Sequence, residues 1–368
     1  MKIAIVGPAY PYKGGGAQHT TELAHRLRAA SHDVVIESWS AQYPALLYPG
    51  RQTVDAPEGE PFPATRRDLS WRRPDGWIRH GRRIGRWADL LVLVVLSPVQ
   101  VPPYLGILAG ARGTGVRTVA LCHNVLPHER RAVDVTLMRT LLRRVSGVLA
   151  HSESQAALAR GLTGDRVPVR VVPLPPHLPG GAGTDGGAGS YEVRRRLLFF
   201  GIVRPYKGLD VLLRALARGP GDVRLTVAGE FWGGTDETSR LVTELGLDDR
   251  VELRPGYVPA ADVPGLFAGA DALVLPYRSA TSTQNAWLGF EHGLPVIATR
   301  AGALADHVRD GVDGLLCAPG DDTALAAAIT RFYGEGEPER LRAGVRRVDP
   351  GPYWSVYVSE LTGLAPVT

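Results

Sequence analysis

The sequence predicts an α/β protein of two domains, each built on a doubly wound parallel sheet. Short apolar strands alternate with helical patterns along most of the chain, as in βαβ units. The length of 368 residues leaves room for about two such domains. A glycine-rich stretch at 174–190 cannot pack a core, so we expect it to link the two halves.

Composition and cysteine content describe an ordinary soluble chain. Hydrophobic residues make up 44% and charged residues 21%, and the two cysteines, Cys122 and Cys317, lie far apart in sequence. This argues against disulfide stapling and fits a reducing compartment. The first residues, MKIAIVGPAY, lack the apolar core of a signal peptide. We therefore expect a cytoplasmic protein, with peripheral contact at the inner face of a membrane as an open addition.

The most apolar window, residues 90–111, contains no charged residue over 22 positions. Pro98, Pro102 and Pro103 interrupt it, whereas a membrane-spanning helix needs about 20 uninterrupted apolar residues. We therefore predict a buried strand at 90–96, then a loop and a helix.

The chain begins with a βαβ unit. Strand 3–6 leads through Gly14, Gly15 and Gly16 into a helix at 17–29, and strand 34–36 follows. Glycines at a helix entrance let the backbone approach an anionic ligand closely. The spaced G-x-G-x-x-G of dinucleotide-binding loops is not met, and a flexible turn is the alternative.

Residues 39–88 are less regular and contain many prolines, and within them 66–87 is rich in arginine and tryptophan. The section suits an anionic membrane surface or the phosphates of an acceptor. A solvated face with tryptophans packed inward explains it equally well. The net charge of +5 and the pI near 9.3 favour an anionic partner without choosing one. We expect no nucleic-acid partner, because no recognition motif is present.

Polar side chains follow two later strands of the first half, 118–121 and 148–150. His123 is a candidate to touch a sugar or a developing charge, and capping of the next loop is the alternative. His151 has the same two interpretations, and Ser152 is also a candidate N-cap. His123 and His128 would need a third ligand to hold a metal ion, and the sequence identifies none.

The second half opens with a strand, a basic turn and a helix over 197–216. Arg204 and Lys207 lie in the turn, where a strand end and a helix start favour anions. The chain has only three lysines, so a lysine retained here points to a phosphate contact rather than to an ordinary surface charge. Strands at 224–228, 251–254, 272–276 and 295–298 follow, and the hydroxyl-rich loop 277–285 predicts a second anion cradle.

Four segments of the second half resemble a known family: LLFFGIVRPYKGLDVLLRAL (197–216), VAGEFW (227–232), RPGYVPAADVPGLFAGADALVLPY (254–277) and HGLPVIATRAGALADHVRDGVDGLLCAPGD (292–321). Residues 2–27 and 121–129 match it more loosely. The family is the retaining glycosyltransferases of family 4, the glycosyl transferases group 1, which have the GT-B fold.

The resemblance implies two Rossmann-like domains facing each other across a cleft, at 1–177 and 196–347. A linker at 178–195 would join them, and 348–368 would cross back to the first domain. It implies retaining, metal-independent transfer of a sugar from a nucleotide sugar to a hydroxyl acceptor of glycan, cell-envelope or natural-product biosynthesis. UDP is the first expectation for the nucleotide and GDP the second, and no cofactor is expected.

The resemblance also assigns roles to individual positions. Arg204 and Lys207 match the pair that holds the donor diphosphate, and His123 matches the histidine beside the donor sugar. The remaining matches, all on the donor, are Gly15, Gly16, Glu230, Tyr257, Ser282, Thr283, Gln284 and Asn285.

One departure from the family concerns its two glutamates. Their places are occupied by Ala280 and Leu288, and Glu291 is the nearest carboxylate that could contact the ribose. Two other functions therefore stay open: another GT-B activity, such as a UDP-sugar 2-epimerase or a phosphorylase, and non-catalytic binding of a nucleotide sugar.

Overall fold

A computed structural model describes residues 1–43, 52–57, 59–127, 131–164, 166–177, 192–280, 284–302 and 304–364. The chain divides into two compact units. The first comprises Met1–His177 together with Pro350–Thr368, and the second comprises Leu178–Asp349.

The first unit contains a parallel sheet of seven strands in the order β3-β2-β1-β4-β5-β6-β7, counted over the described residues. The strands are β1 (Lys2–Val6), β2 (Asp33–Ala41), β3 (Thr65–Ser70), β4 (Leu90–Val95), β5 (Arg117–Cys122), β6 (Gly147–Ala150) and β7 (Val169–Val171). The central strand β4 is buried along its whole length, which explains its uninterrupted apolar sequence.

Helices connect these strands: α1 (Gly15–Ala29), α2 (Pro74–Trp87), α3 (Val101–Ala111), α4 (Ala132–Leu142) and α5 (Glu153–Thr163). The apolar window divides as predicted, into strand β4, a 3-10 turn at Pro98–Gln100 and helix α3. Among the described residues, no helix has the length and apolar character needed to cross a bilayer.

The less regular section at 39–88 contains two elements that were not predicted from the sequence, β3 and α2. Strand β3 is an edge strand with Leu69 as its buried apolar residue, so its sequence lacks the usual alternation. Helix α2 contains three glycines, which are poor helix formers. The fold explains one of them: a Cβ on Gly81 would lie 2.0 Å from the carbonyl oxygen of Ile107 in α3.

The second unit contains a parallel sheet of six strands in the order β10-β9-β8-β11-β12-β13, again over the described residues. The strands are β8 (Arg196–Phe200), β9 (Arg224–Gly229), β10 (Val251–Pro255), β11 (Ala272–Leu275), β12 (Val296–Thr299) and β13 (Gly314–Cys317). The helices are α6 (Leu209–Arg218), α7 (Asp236–Glu244), α8 (Val263–Ala268), α9 (Asn285–Glu291), α10 (Leu304–His307), α11 (Asp322–Phe332) and α12 (Glu337–Gly344).

The final helix, α13 (Pro350–Gly363), packs on the first unit. The indole of Trp354 is buried and donates a hydrogen bond to the carbonyl oxygen of Pro176 at 2.8 Å. Arg170 forms an ion pair with Glu360 at 2.6 Å. Helix α13 thus contributes to the core of the first unit.

Candidate functional site

In the second unit, the ends of β8 and β9 approach so closely that both need glycine. The Gly201 N–H donates to the carbonyl oxygen of Ala228 at 2.9 Å. Gly201 and Gly229 have φ angles of 103° and 150°, which side-chain-bearing residues rarely adopt. A Cβ on Gly229 would lie 1.9 Å from the carbonyl oxygen of Gly201. The chain can therefore leave β8 directly into the basic turn.

Arg204 directly precedes a 3-10 turn at Pro205–Lys207, and Lys207 is the last residue of that turn. The Arg204 guanidinium lies over the Trp232 ring at 4.6 Å, and the Lys207 ammonium lies 5.2 Å from the ring centroid of Tyr277. Both contacts are cation–π interactions. Lys207 is half-buried, and loss of hydration lowers the pKa of its ammonium below the ordinary value.

Arg278 clamps this turn, a role that the sequence did not reveal. Its guanidinium donates to both carboxylate oxygens of Asp210, at 2.7 and 2.6 Å, and to the carbonyl oxygen of Pro205 at 2.8 Å. Its backbone N–H donates to the carbonyl oxygen of Tyr206 at 2.7 Å. Partial burial acts to raise the pKa of Asp210, but the hydrogen bonds and charge of Arg278 hold it below its ordinary value.

Asn285 opens α9 and reaches the same point. Its amide donates to the carbonyl oxygen of Phe200 at 2.9 Å and to the Tyr277 hydroxyl at 3.0 Å. A Cβ on Gly201 would lie 3.4 Å from both the Asn285 amide nitrogen and the Lys207 ammonium. The structure thus brings Asn285 and Lys207 together around Gly201.

The other predicted residues of this unit that the structure describes lie at the ends of α9, β9 and β10. Gln284 directly precedes α9, and Glu291 ends it, about 9 Å along the helix axis from Asn285. Glu230 follows β9, where its carbonyl oxygen accepts from the Val203 N–H at 2.8 Å, and Tyr257 follows β10. Ser282 and Thr283 lie outside the described residues. Because β10, β9, β8 and β11 are parallel neighbours, the residues that follow them share one sheet edge.

In the first unit, Gly15 and Gly16 begin α1 after a Gly14 with a φ of 87°. A Cβ on Gly16 would lie 2.8 Å from a methyl carbon of Leu96. The absence of a side chain at Gly16 therefore serves packing inside the unit. A Cβ on Gly15 would have only ordinary contact, 3.8 Å from the Nε2 atom of His177.

His123 belongs to a cluster of four buried histidines. Its ring centroid lies 4.8 Å from that of His19 and 5.0 Å from that of His151, and His19 lies 5.4 Å from His177. The cluster comes from α1 and from the chain beyond β5, β6 and β7, three adjacent strands. The sequence prediction missed His19 and His177, although polar residues after neighbouring parallel strands are the pattern that could have found His177.

Burial sets the ionisation of this cluster. It lowers the pKa of His123 and His19 well below the ordinary value, and it lowers the pKa of His151 and His177 to about 4, so all four are neutral at pH 7. The Nε2 atoms of His123 and His151 have no hydrogen-bond partner among the described residues. A buried ring nitrogen without a partner has a hydrogen bond to offer to a ligand.

The described residues offer neither a metal site nor a reactive cysteine. No group of three or more His, Cys, Asp or Glu side chains among them could hold a metal ion, and His128 lies outside them. Both cysteines are buried, which raises the pKa of Cys122 to about 12 and that of Cys317 to about 11. Neither thiol is ionised as a nucleophile at neutral pH.

Two family models match the chain, "Glycosyl transferase 4-like domain" over residues 14–175 and "Glycosyl transferases group 1" over residues 194–335. Among curated proteins, it is 34% identical over 179 residues to D-inositol 3-phosphate glycosyltransferase 1 of Catenulispora acidiphila, covering 45% of this chain and 42% of that one. It is 36% identical over 135 residues to the D-inositol 3-phosphate glycosyltransferase of Mycobacterium marinum, covering 36% and 28%. The chain thus spans less than half the length of these relatives.

Solved structures match over nearly the whole chain. HepE of Anabaena, in complex with UDP and glucose, has a TM-score of 0.71 at 18% identity, covering 99% of this chain and 100% of that one. Sucrose-phosphate synthase of Thermosynechococcus elongatus has a TM-score of 0.68 at 18% identity, covering 99% and 96%. At this identity the likeness shows the fold, which confirms the predicted fold class of two Rossmann-like domains. The chain belongs to the family 4 glycosyltransferases with the GT-B fold, the glycosyl transferases group 1.

Proposed function

We propose that this protein is a retaining glycosyltransferase that moves a sugar from a nucleotide sugar, UDP-linked in the first place and GDP-linked as the alternative, to a hydroxyl acceptor. The observation that carries the proposal is the strand-end site in which Lys207 and Asn285 meet at Gly201, with Arg204 at the start of the same turn. HepE, which has the same fold, was solved with UDP and glucose.

The proposed chemistry follows from where charge develops. When the bond between sugar and diphosphate breaks, negative charge builds up on the leaving phosphate and must be stabilised. Arg204 would hold the diphosphate through its planar fork and Lys207 through a compact charge. Arg278 would keep the turn that carries both in place, through its bonds to Asp210 and to the turn's carbonyl oxygens.

His123 would act on the donor sugar as a neutral group. Burial lowers the pKa of its imidazole, so at pH 7 it does not compete with the basic turn for the phosphates. Its Nε2 atom has no hydrogen-bond partner in the described part of the chain and can bond to a sugar hydroxyl. With the negative charge assigned to Arg204 and Lys207, we expect transfer without a metal ion and without a covalent protein nucleophile.

The test is nucleotide release from panels of UDP-sugars and GDP-sugars, with and without EDTA. Lys207→Ala is expected to lower release at least tenfold, because a charge-assisted phosphate contact is lost. Lys2→Ala is the matched control, since Lys2 is exposed at the start of β1. The proposal fails if no nucleotide sugar is used, or if the two variants behave alike.

Product analysis separates this proposal from its two alternatives. A transferase needs an acceptor and yields a new glycoside of retained configuration. A 2-epimerase yields an epimerised sugar without an acceptor. A non-catalytic binding protein is stabilised by the nucleotide sugar against heat and leaves it intact.

A further inference from the structure

The positive charge of the chain is concentrated in one small region of the first unit. Residues 65–87 contain eight arginines against two aspartates, a formal net charge of +6, whereas the whole chain carries +5. These residues form edge strand β3 and helix α2. No residue of the proposed donor site lies among them.

The same region contains a cavity of about 530 Å³ between β3, the carboxyl end of β2 and α2. Its charged lining is Arg67, Arg73, Arg79, Arg83 and Asp68. Ser40 and Ser70, at the ends of β2 and β3, also line it. The Ser40 hydroxyl already donates to the carbonyl oxygen of Leu69 at 3.0 Å, so Ser70 supplies the hydroxyl donor for a ligand. Four cations and one anion line the cavity, and Glu37 and Asp75, the partners of Arg83 and Arg79, lower the local net charge to +1. The volume has room for a ligand of several rings or groups.

The arginines of this cavity are engaged to different degrees. Arg83 is tied to the buried carboxylate of Glu37, and Arg79 pairs with the exposed Asp75 at 2.7 Å. Arg67 has no ion pair with a described carboxylate. Exposed pairs such as the one of Arg79 contribute little stability, so an incoming anion can compete for that guanidinium.

Helix α2 is held rigidly on the side away from the cavity. A Cβ on Gly110 of α3 would lie 2.1 Å from the carbonyl oxygen of Ile78, so the two helix backbones touch. The Trp77 indole donates to the carbonyl oxygen of Ser70 at 2.8 Å, which ties α2 to β3 at the cavity. Trp77 and Trp87 are partly buried and pack against the core, which disfavours their insertion into a membrane. The cavity is thus preformed.

We propose that this cavity binds a phosphate group, in a phosphomonoester or diphosphate, and that this group belongs to the acceptor. Arginine forks and serine hydroxyls are the donors that phosphate oxygens prefer. In the sheet, β2 lies next to β1 and β3 lies next to β2, so β3 is two strand spacings, about 10 Å, from β1. The chain that leaves the carboxyl end of β1 leads to Gly15 at the start of α1. A ligand held here therefore lies at the sheet edge that carries the first unit's donor-site residues. The assignment to the acceptor rests on the proposed transferase function, whereas phosphate binding does not.

Calorimetry with the full chain at low salt tests the phosphate site, with glucose 1-phosphate against glucose as probes. Glucose 1-phosphate is expected to bind, and more weakly as salt rises. Arg67→Gln and Arg79→Gln are each expected to weaken it about tenfold. Arg82→Gln is the matched control, because Arg82 is exposed on α2 and does not line the cavity. Equal loss in Arg82→Gln, or equal binding of glucose, overturns the proposal.

Vesicles of phosphatidic acid against vesicles of phosphatidylcholine separate the two sources of such a group. Sedimentation with phosphatidic acid only, sensitive to Arg67→Gln, identifies a lipid headgroup, and binding of glucose 1-phosphate identifies a soluble ester. If the protein binds neither phosphatidic acid vesicles nor glucose 1-phosphate, the proposal is refuted.

A variant of the donor site keeps this test separate from the transferase proposal. Lys207→Ala is expected to leave binding of the phosphate probe unchanged. Retained phosphate binding in a protein that uses no nucleotide sugar would uphold the cavity and refute the transferase function. Loss of probe binding in Lys207→Ala would instead place the phosphate at the donor site and refute the cavity.

Discussion

The imidazole of His19 meets the ring of His123 edge-on, with centroids 4.8 Å apart and an interplanar angle of 89°. On its other side His19 stacks on Trp354 of α13 at 5.4 Å and 26°. Neither ring nitrogen of His19 has a hydrogen-bond partner among the described residues. We therefore infer that His19 orients His123 by packing, as a positioning residue, and not by a hydrogen bond.

His19→Phe and His19→Ala separate packing from polarity. His19→Ala leaves a cavity among the aromatic rings and is expected to lower the free energy of unfolding by about 3 kcal/mol. His19→Phe keeps a ring and removes two unpartnered nitrogens, so we expect a loss of about 1 kcal/mol or less. Urea unfolding measures both. Equal losses in the two variants would mean that the ring nitrogens of His19 are used.

The histidine cluster predicts loss of stability in mild acid. The pKa of His151 and of His177 is about 4 in the folded chain, below the ordinary 6.5, so the unfolded chain binds more protons between these values. The contribution of these two histidines therefore leaves the free energy of unfolding highest above pH 6.5 and lowers it as the pH drops. Below about pH 4 they cause no further decrease. At pH 5.5 each of the two is expected to cost about 1 kcal/mol.

Urea unfolding at pH 7.5 and 5.5 checks this, with His151→Gln as the comparison. The variant is expected to lose less stability between the two pH values than the parent, whatever its stability at pH 7.5. Identical pH dependence in both proteins would exclude His151 as a source of the acid sensitivity.

The clamp of Arg278 predicts an effect on ligand binding that exceeds its effect on stability. Arg278→Gln removes the ion pair with Asp210 and frees the turn that carries Lys207, so we expect about tenfold weaker UDP binding. The cost in unfolding free energy is expected to stay near 1 kcal/mol, because the pair is partly exposed. Arg300→Gln, which breaks the exposed pair with Asp310, is the matched control. Calorimetry with UDP decides, and equal affinities of the two variants would contradict the clamp.

Gly208 predicts a backbone requirement beside the same turn. Its φ is 68°, and a Cβ there would lie 2.1 Å from the carbonyl oxygen of Pro276, so Gly208→Ala is expected to cost about 3 kcal/mol. Gly246 has a φ of 65° and open space around it, so Gly246→Ala is expected to cost only about 1 kcal/mol. Thermal or urea unfolding compares the two. A cost for Gly208→Ala no larger than that for Gly246→Ala would show that Pro276 can move aside.

Most elements could be predicted because their signals are local. Strand β4 and helix α3 follow from one apolar window and its prolines. Helix α2 could not, because its glycines lower helix propensity, and the need for Gly81 becomes visible only in its contact with α3. The basic turn was predicted because Arg204 and Lys207 lie in a short strand-to-helix loop. The clamp on this turn was not predicted, because Arg278 follows β11 whereas Asp210 lies in α6, so the two residues are far apart in the sequence.

The sequence by itself determined the alternation of strands and helices, the family, and the two cations after β8, because each depends on residues close together in the chain. Only the tertiary structure decided what long-range contacts produce. It brought His19 of α1 and three histidines that follow β5, β6 and β7 into one buried cluster, and burial rather than residue type makes them neutral. It also places arginines of β3 and α2 around one cavity together with Ser40 of β2, because parallel strands and the helices between them bring separate segments to a common edge.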